Sequence, residues 1–238
     1  MITVRKAEER GTTRLSWLDS RHSFSFGGYY DEAHTGFGAL RVINDDRVAA
    51  GGGFAPHGHR DMEIISYVLE GALAHRDSLG TGSIIRAGEI QRMSAGTGIL
   101  HSEFNASQTE PVHFLQIWIV PERDGLEPSY GELALEDGKA EPELRRIVGR
   151  GADGSGVIGI NADADIYRAL LRGGEAVRHA LAPGRIGWLQ VVQGEGELNG
   201  RRLAAGDGAG IEDEAELANE GLKEVSEVLL FDMAGPSQ

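Results

Sequence analysis

Short runs of alternating apolar side chains, each cut off by glycine, recur along the chain at 39–43, 62–69, 83–85, 112–120, 188–192 and 228–231. A period of two sends successive side chains to opposite faces of a strand. Short strands separated by regular turn signals predict a sandwich or a barrel. Glycine supplies 35 of the 238 residues, about twice the usual share of roughly 7%, and proline only 7, so turns and not disorder separate the runs. The segments 163–165 and 168–171 fit either a strand or a short helical turn.

A chain of this length can bury one large core or two small ones. Internal similarity favours two. Tyr67-Val-Leu-Glu-Gly71 is matched by Gln190-Val-Val-Gln-Gly194, and Arg86-Ala-Gly88-Glu89 by Ala204-Ala-Gly206-Asp207, at offsets of 123 and 118 residues. Two copies of one barrel are predicted. The alternation lapses after Pro121 and a polar stretch runs on to Gly156. The expected division is an N-terminal domain over 1–125, a linker region over 126–155 and a C-terminal domain over 156–238.

Against this pattern stand two histidine-centred pairs, His57-Gly58-His59 and His101-Ser102-Glu103. Residues two apart share a face of a strand, so each pair projects in one direction, and two such strands lining one pocket converge. Three imidazole nitrogens and a carboxylate leave one or two positions open on an ion, as a redox or Lewis-acid centre requires, and suit Fe(II), Mn, Co, Ni or Cu. A closed structural zinc site is often built from cysteine, of which the chain has none. The repeat offsets put Ala180, Ala182, Asn219 and Gly221 at the places of His57, His59, His101 and Glu103, so only the first barrel is expected to hold metal.

The 37 acidic and 23 basic side chains give a formal charge of −14, which repels phosphate backbones and anionic membranes. Neither nucleic acid nor membrane is an expected partner. The first ten residues lack an apolar core segment and no apolar run approaches the roughly eighteen residues of a membrane span. The expected location is the cytoplasm.

The motifs carry a resemblance. Gly51, His57-x-His59 and Glu63 resemble the first motif of the cupin superfamily, and Gly88, Ser94-Ala-Gly96, His101 and Asn105 its second, with Ser94 where proline is usual and two extra residues before the histidine. More narrowly, Asp19-Ser-Arg-His-Ser-Phe-Ser-Phe-Gly27, His59-Arg-Asp-Met-Glu-Ile and Gln91-Arg-Met-Ser-Ala-Gly-Thr-Gly-Ile-Leu-His-Ser-Glu-Phe-Asn105 are similar to the pirin family. The resemblance implies an all-β bicupin of two antiparallel jelly-roll β-barrels packed face to face. It implies metal ligands at His57, His59, His101 and Glu103, with Fe(II) the favoured ion and Cu, Mn, Co, Ni or Zn compatible. Glu63, the glutamate of the general cupin motif, remains a competing carboxylate. Gly58 departs from the proline of many relatives.

Bacterial members of the family resemble flavonol dioxygenases, which open quercetin with O2 and release carbon monoxide. The implied partners are a small flavonol and O2. The flavonol hydroxyl must lose its proton before the ring becomes electron-rich enough for O2, and Glu103 is the expected catalytic base. Phe54, Met62, Met93, Phe104 and the alternating face Phe114-Gln116-Trp118 are the candidate lining of a flat apolar slot. Gln116 is unusual there, because a polar side chain amid an apolar strand requires a partner. His22, His34, His75, His113 and His179 carry no ligand spacing, and hydrogen-bonded or surface roles are expected for them. Other pirins resemble metal-dependent regulators of transcription factors or metabolic enzymes, so the alternative is a protein partner. A third reading, isomerisation of a small sugar or acid, needs more cations near the site than Arg60 and Arg92. A monomer is expected.

Overall fold

All six apolar runs are strands in the computed structural model, which describes residues 1–135, 142–151, 154 and 156–235. They become Leu40–Val48, Glu63–Glu70, Gly82–Arg86, Val112–Ile119, Arg185–Gln193 and Ser226–Ala234. The segment that fitted strand or helical turn is the strand Ala164–Leu171, because burying Ala164, Ile166 and Arg168 in alternation satisfies a sheet and not a helix face. Among the described residues the one helical element is a single 3-10 turn at Ala7–Glu9.

The chain forms two compact units. One comprises residues 11–137 and 151–162. Its seven-stranded antiparallel sheet runs in the order Ser129–Ala134, Glu89–Ser94, Glu63–Glu70, Val112–Ile119, Leu40–Val48, Leu18–His22, Gly11–Arg14. A four-stranded antiparallel sheet accompanies it, in the order Gly53–His59, Ile99–Asn105, Ala72–Asp77, Gly82–Arg86. Phe114, Val68, Val112, Val48 and Leu18 from the first sheet and Leu73 and Ile85 from the second form one shared apolar core.

The other unit comprises residues 1–10, 138–150 and 163–238. Its strands repeat the arrangement: Ile2–Arg5, Gly208–Ile211, Arg185–Gln193, Ser226–Ala234, Ala164–Leu171 and Arg145–Arg150 in the larger sheet, and Ala176–Ala180, Glu216–Gly221, Glu195–Leu198 and Arg201–Ala204 in the smaller. The matched motifs take matched turns. Gly71 and Gly194 have φ of +75° and +76°, and Gly88 and Gly206 have +81° and +86°, a region that favours glycine.

The units do not coincide with the spans 1–125, 126–155 and 156–238. The first strand, Ile2–Arg5, pairs with Gly208–Ile211, Ile2 opposite Ile211 and Val4 opposite Ala209. The polar stretch read as linker contains two strands, Ser129–Ala134 on Glu89–Ser94 and Arg145–Arg150 on Ala164–Leu171. Residues 136–141, 152, 153 and 155 of that stretch lie outside the described residues. The strand registers also move the projected ligand positions. Leu198, which matches His75 at the offset of 123, pairs with Asn219 as His75 pairs with Glu103, so Asn219 takes the place of Glu103, Leu217 that of His101, and His179, opposite Leu217, that of His57.

Candidate metal centre

The four-stranded sheet of the first unit brings the histidine pairs together. His57 lies opposite His101 and His59 opposite Ile99. In a regular ladder Glu103 would then face Ala55, but the register slips and it faces Phe54. This bulge accommodates Pro56, which has no N–H for a ladder, and turns Phe54 to the side of His57. On the other edge of the same strand His101 lies opposite Asp77 and Glu103 opposite His75.

The rings of His57, His59 and His101 pack mutually, with centroids 4.6 to 4.8 Å apart. His57 donates its Nδ1–H to the Ala55 carbonyl at 2.8 Å, which leaves Nε2 as a bare lone pair. That Nε2 lies 3.2 Å from His101 Nε2. One ligand atom from each of the three imidazoles falls within 4.8 Å of the others. Burial, reinforced by the neighbouring imidazoles, pushes His59 down to about 4 and His101 to about 3. Both are neutral at physiological pH, and their lone pairs are available to a cation without loss of a proton.

Glu103 is almost free of solvent and held on three sides. Its Oε1 accepts from Ser66 Oγ at 2.9 Å and Gln91 Nε2 at 2.6 Å, and its Oε2 from Gln116 Nε2 at 2.6 Å. A carboxylate offers about four lone-pair sites, so one on Oε2 stays open to a proton or a cation. The donors are cross-strand neighbours on the seven-stranded sheet, Gln91 opposite Ser66 and Ser66 opposite Gln116. In the other barrel the registers put Ala209, Leu189 and Leu230 in these three places and Asn219 in that of Glu103. The polar row is therefore no requirement of the fold. Glu103 also forms a second candidate group, with His75 and His101. Three imidazoles and an adjoining carboxylate suit a divalent transition ion.

Comparison with known proteins agrees. Residues 3–119 match the Pirin family model, and residues 148–233 match the model of the quercetinase C-terminal cupin domain. The chain is 47% identical to a quercetin 2,3-dioxygenase of Escherichia coli (strain K12), across 98% of this chain and 99% of that protein. The chain belongs to the pirin family. It is 41% identical to a pirin-like protein of Caulobacter vibrioides, across 98% of this chain and all of that one. A bacterial pirin of Escherichia coli, crystallised in complex with nickel(II), superimposes with a TM-score of 0.94 at 45% identity, covering 99% of this chain and 100% of that one.

In this pirin the remaining candidates divide. Trp118 meets the His59 ring edge-on at 4.9 Å, and Phe54 lies 6.4 Å from His57. Met62 is half-buried against Ile64, Met93, Ala95 and Ile99. Met93 and Phe114 are fully buried in packing, and Phe104 is exposed. Gln116 has found the partner it required, and both ends of its amide are committed, to Glu103 and to Ser66 Oγ at 2.8 Å. Glu63 begins the next strand, three residues from Ser66 and so on the opposite sheet face, where Ser94 and Asn161 bind it.

Two residues of the neighbourhood escaped the sequence reading. Phe26, in the Asp19–Gly27 motif, packs edge-on against Trp118 at 5.4 Å. His75 is buried against both His101 and Tyr130, with ring centroids at 5.4 and 4.8 Å. Its place depends on which strand pairs with Ile99–Asn105, and no local spacing encodes that.

Proposed function

We propose that this pirin is a metal-dependent dioxygenase that opens flavonols such as quercetin with O2 and releases carbon monoxide, working as a monomer in the cytoplasm. His57, His59 and His101 hold the ion together with Glu103. Fe(II) is the proposed occupant, and other first-row divalent ions are competent to replace it. The observation that carries this reading is Glu103, a buried carboxylate fixed by three donors with one lone pair left, beside the imidazole triad. Whole-length similarity to proteins named quercetin 2,3-dioxygenase supports it.

A bound ion supplies Lewis-acid attraction for the oxygens of the flavonol. Glu103 would hold the ion through its open Oε2 lone pair before the flavonol arrives, and takes the flavonol hydroxyl proton on that same lone pair as it lets the ion go. Gln91 and Ser66 keep Oε1 in place while Gln116 steadies Oε2, so the carboxylate keeps its aim as it loses charge. Phe54 and Trp118, beside His57 and His59, flank the flat ring.

A regulatory pirin needs no apolar wall beside its metal, and the part-exposed rings of Phe54 and Trp118 favour the enzyme. A small sugar or acid would need free cations, but Arg60 pairs with Asp61 and Arg92 binds Ser129 and Ser94.

The test is anaerobic reconstitution with Fe(II), Mn(II), Co(II), Ni(II) or Cu(II), followed by quercetin loss and carbon monoxide release under O2. Metal-dependent turnover that vanishes in His59→Ala supports the enzyme. Stoichiometric metal without turnover for all five ions overturns it.

A further inference from the structure

His75 stands between the candidate centre and a buried carboxylate, and its protons can be assigned. Its side chain and that of Asp77 are wholly buried, and Nε2 lies 3.0 Å from Asp77 Oδ2. A carboxylate accepts, so Nε2 carries the hydrogen and Nδ1 is a lone pair. The same Asp77 is held by the backbone: its Oδ1 accepts from Leu79 N at 2.9 Å and Thr81 N at 3.0 Å. His75 Nδ1 is buried without a partner.

His101 presents the complementary problem. Its Nε2 faces His57 Nε2 across 3.2 Å, so an ion held there leaves its one proton on Nδ1. That Nδ1 is also buried without a partner. A buried donor left unpaired costs about 1–3 kcal/mol. One ring therefore has a spare donor and its neighbour, with centroids 5.4 Å away, a spare acceptor.

We propose that His75 is a positioning residue of the metal centre: once an ion is held at His101 Nε2, the two rings close so that His101 Nδ1–H donates to His75 Nδ1 while His75 Nε2–H donates to Asp77, a carboxylate–imidazole–imidazole chain that fixes the tautomer and aim of His101. The proposal rests on the metal-centre reading above. The other use of the same atoms, a further ion in the His75, His101 and Glu103 group, would strip the last proton from His101, and Glu103 already receives three hydrogen bonds.

The experiment is titration of the whole metal-free protein with Co(II), read by chelator competition and by the visible ligand-field bands. The variants are His75→Phe, which keeps a ring against Tyr130, and Asp77→Asn, which keeps an acceptor for Leu79 and Thr81 but none for His75. The expected result is one Co(II) per wild-type chain, a 10–100-fold loss of affinity in both variants with shifted bands, and metal-free thermal stability close to wild type. Wild-type affinity and unchanged bands in His75→Phe overturn the proposal and leave the centre standing. Two Co(II) in wild type with one lost in His75→Phe overturn it in favour of a further ion. Binding that His59→Ala does not weaken overturns the centre itself.

Discussion

Gln116 Nε2 lies 2.6 Å from Glu103 Oε2 and ties the two sheets of the N-terminal barrel together at the candidate centre. The equivalent place in the other barrel is Leu230. Gln116→Leu imports that residue, strips Glu103 of a donor and takes away one of the two acceptors of Ser66, leaving it Glu103 Oε1. Urea unfolding is expected to show a loss of about 1–3 kcal/mol, and quercetin turnover is expected to fall more than the stability does. Unchanged turnover would show that the tie has no part in positioning Glu103.

Asp46 gives a pH dependence of known sign. It is buried between Phe114 and Ser20, and burial pushes its carboxyl up from 3.8 to about 7, with Asp45 and Glu103 adding in the same direction and Ser20 opposing. The folded chain holds this proton more tightly than the unfolded one. Its contribution to stability is therefore constant below about pH 4, falls as pH rises from about 4 to about 7, and is flat above. Asp46→Asn removes that fall. Urea unfolding should place the variant increasingly above wild type between pH 4.5 and pH 8, by up to about 1.4 kcal/mol for each unit inside the window. A gap that narrows with pH contradicts the assignment.

The repeated turns predict graded effects. A Cβ on Gly71 would meet the Pro111 carbonyl oxygen at 2.6 Å, and one on Gly194 would meet that of Val225 closer still, whereas one on Gly88 meets nothing within 4 Å. All three have positive φ. Gly88→Ala should cost only the backbone strain, about 1–2 kcal/mol. Gly71→Ala and Gly194→Ala should cost visibly more in thermal melts. Equal losses at all three would mean that the carbonyl contacts do not matter.

Much of the centre is readable from the chain alone, because period two puts His57 with His59 and His101 with Glu103 on common faces. The polar Gln116 in an apolar strand announced a partner, and Glu103 and Ser66 are that partner. What escaped depends on long-range pairing or on broken alternation. The bulge that turns Phe54 toward His57 has no signal beyond Pro56. The competing carboxylate Glu63 lies beyond the turn at Asp61, with φ of +50°, which takes it off the face that carries His59. His75 gains its place only through the pairing of Ala72–Asp77 with Ile99–Asn105. Ser129–Ala134 reads as linker because its side chains are mostly part-exposed, and Ile2–Arg5 offers only Ile2 and Val4 to a sheet formed some 200 residues later.

The account turns on Glu103 as the proton acceptor beside the metal, and the most direct measurement is turnover of Glu103→Gln. The variant is saturated with the ion that serves the wild type, its metal content is measured, and quercetin loss and carbon monoxide release are followed under O2. Turnover at least about 100-fold below wild type in the metal-loaded variant is the predicted result. Full turnover at normal metal content would contradict the account.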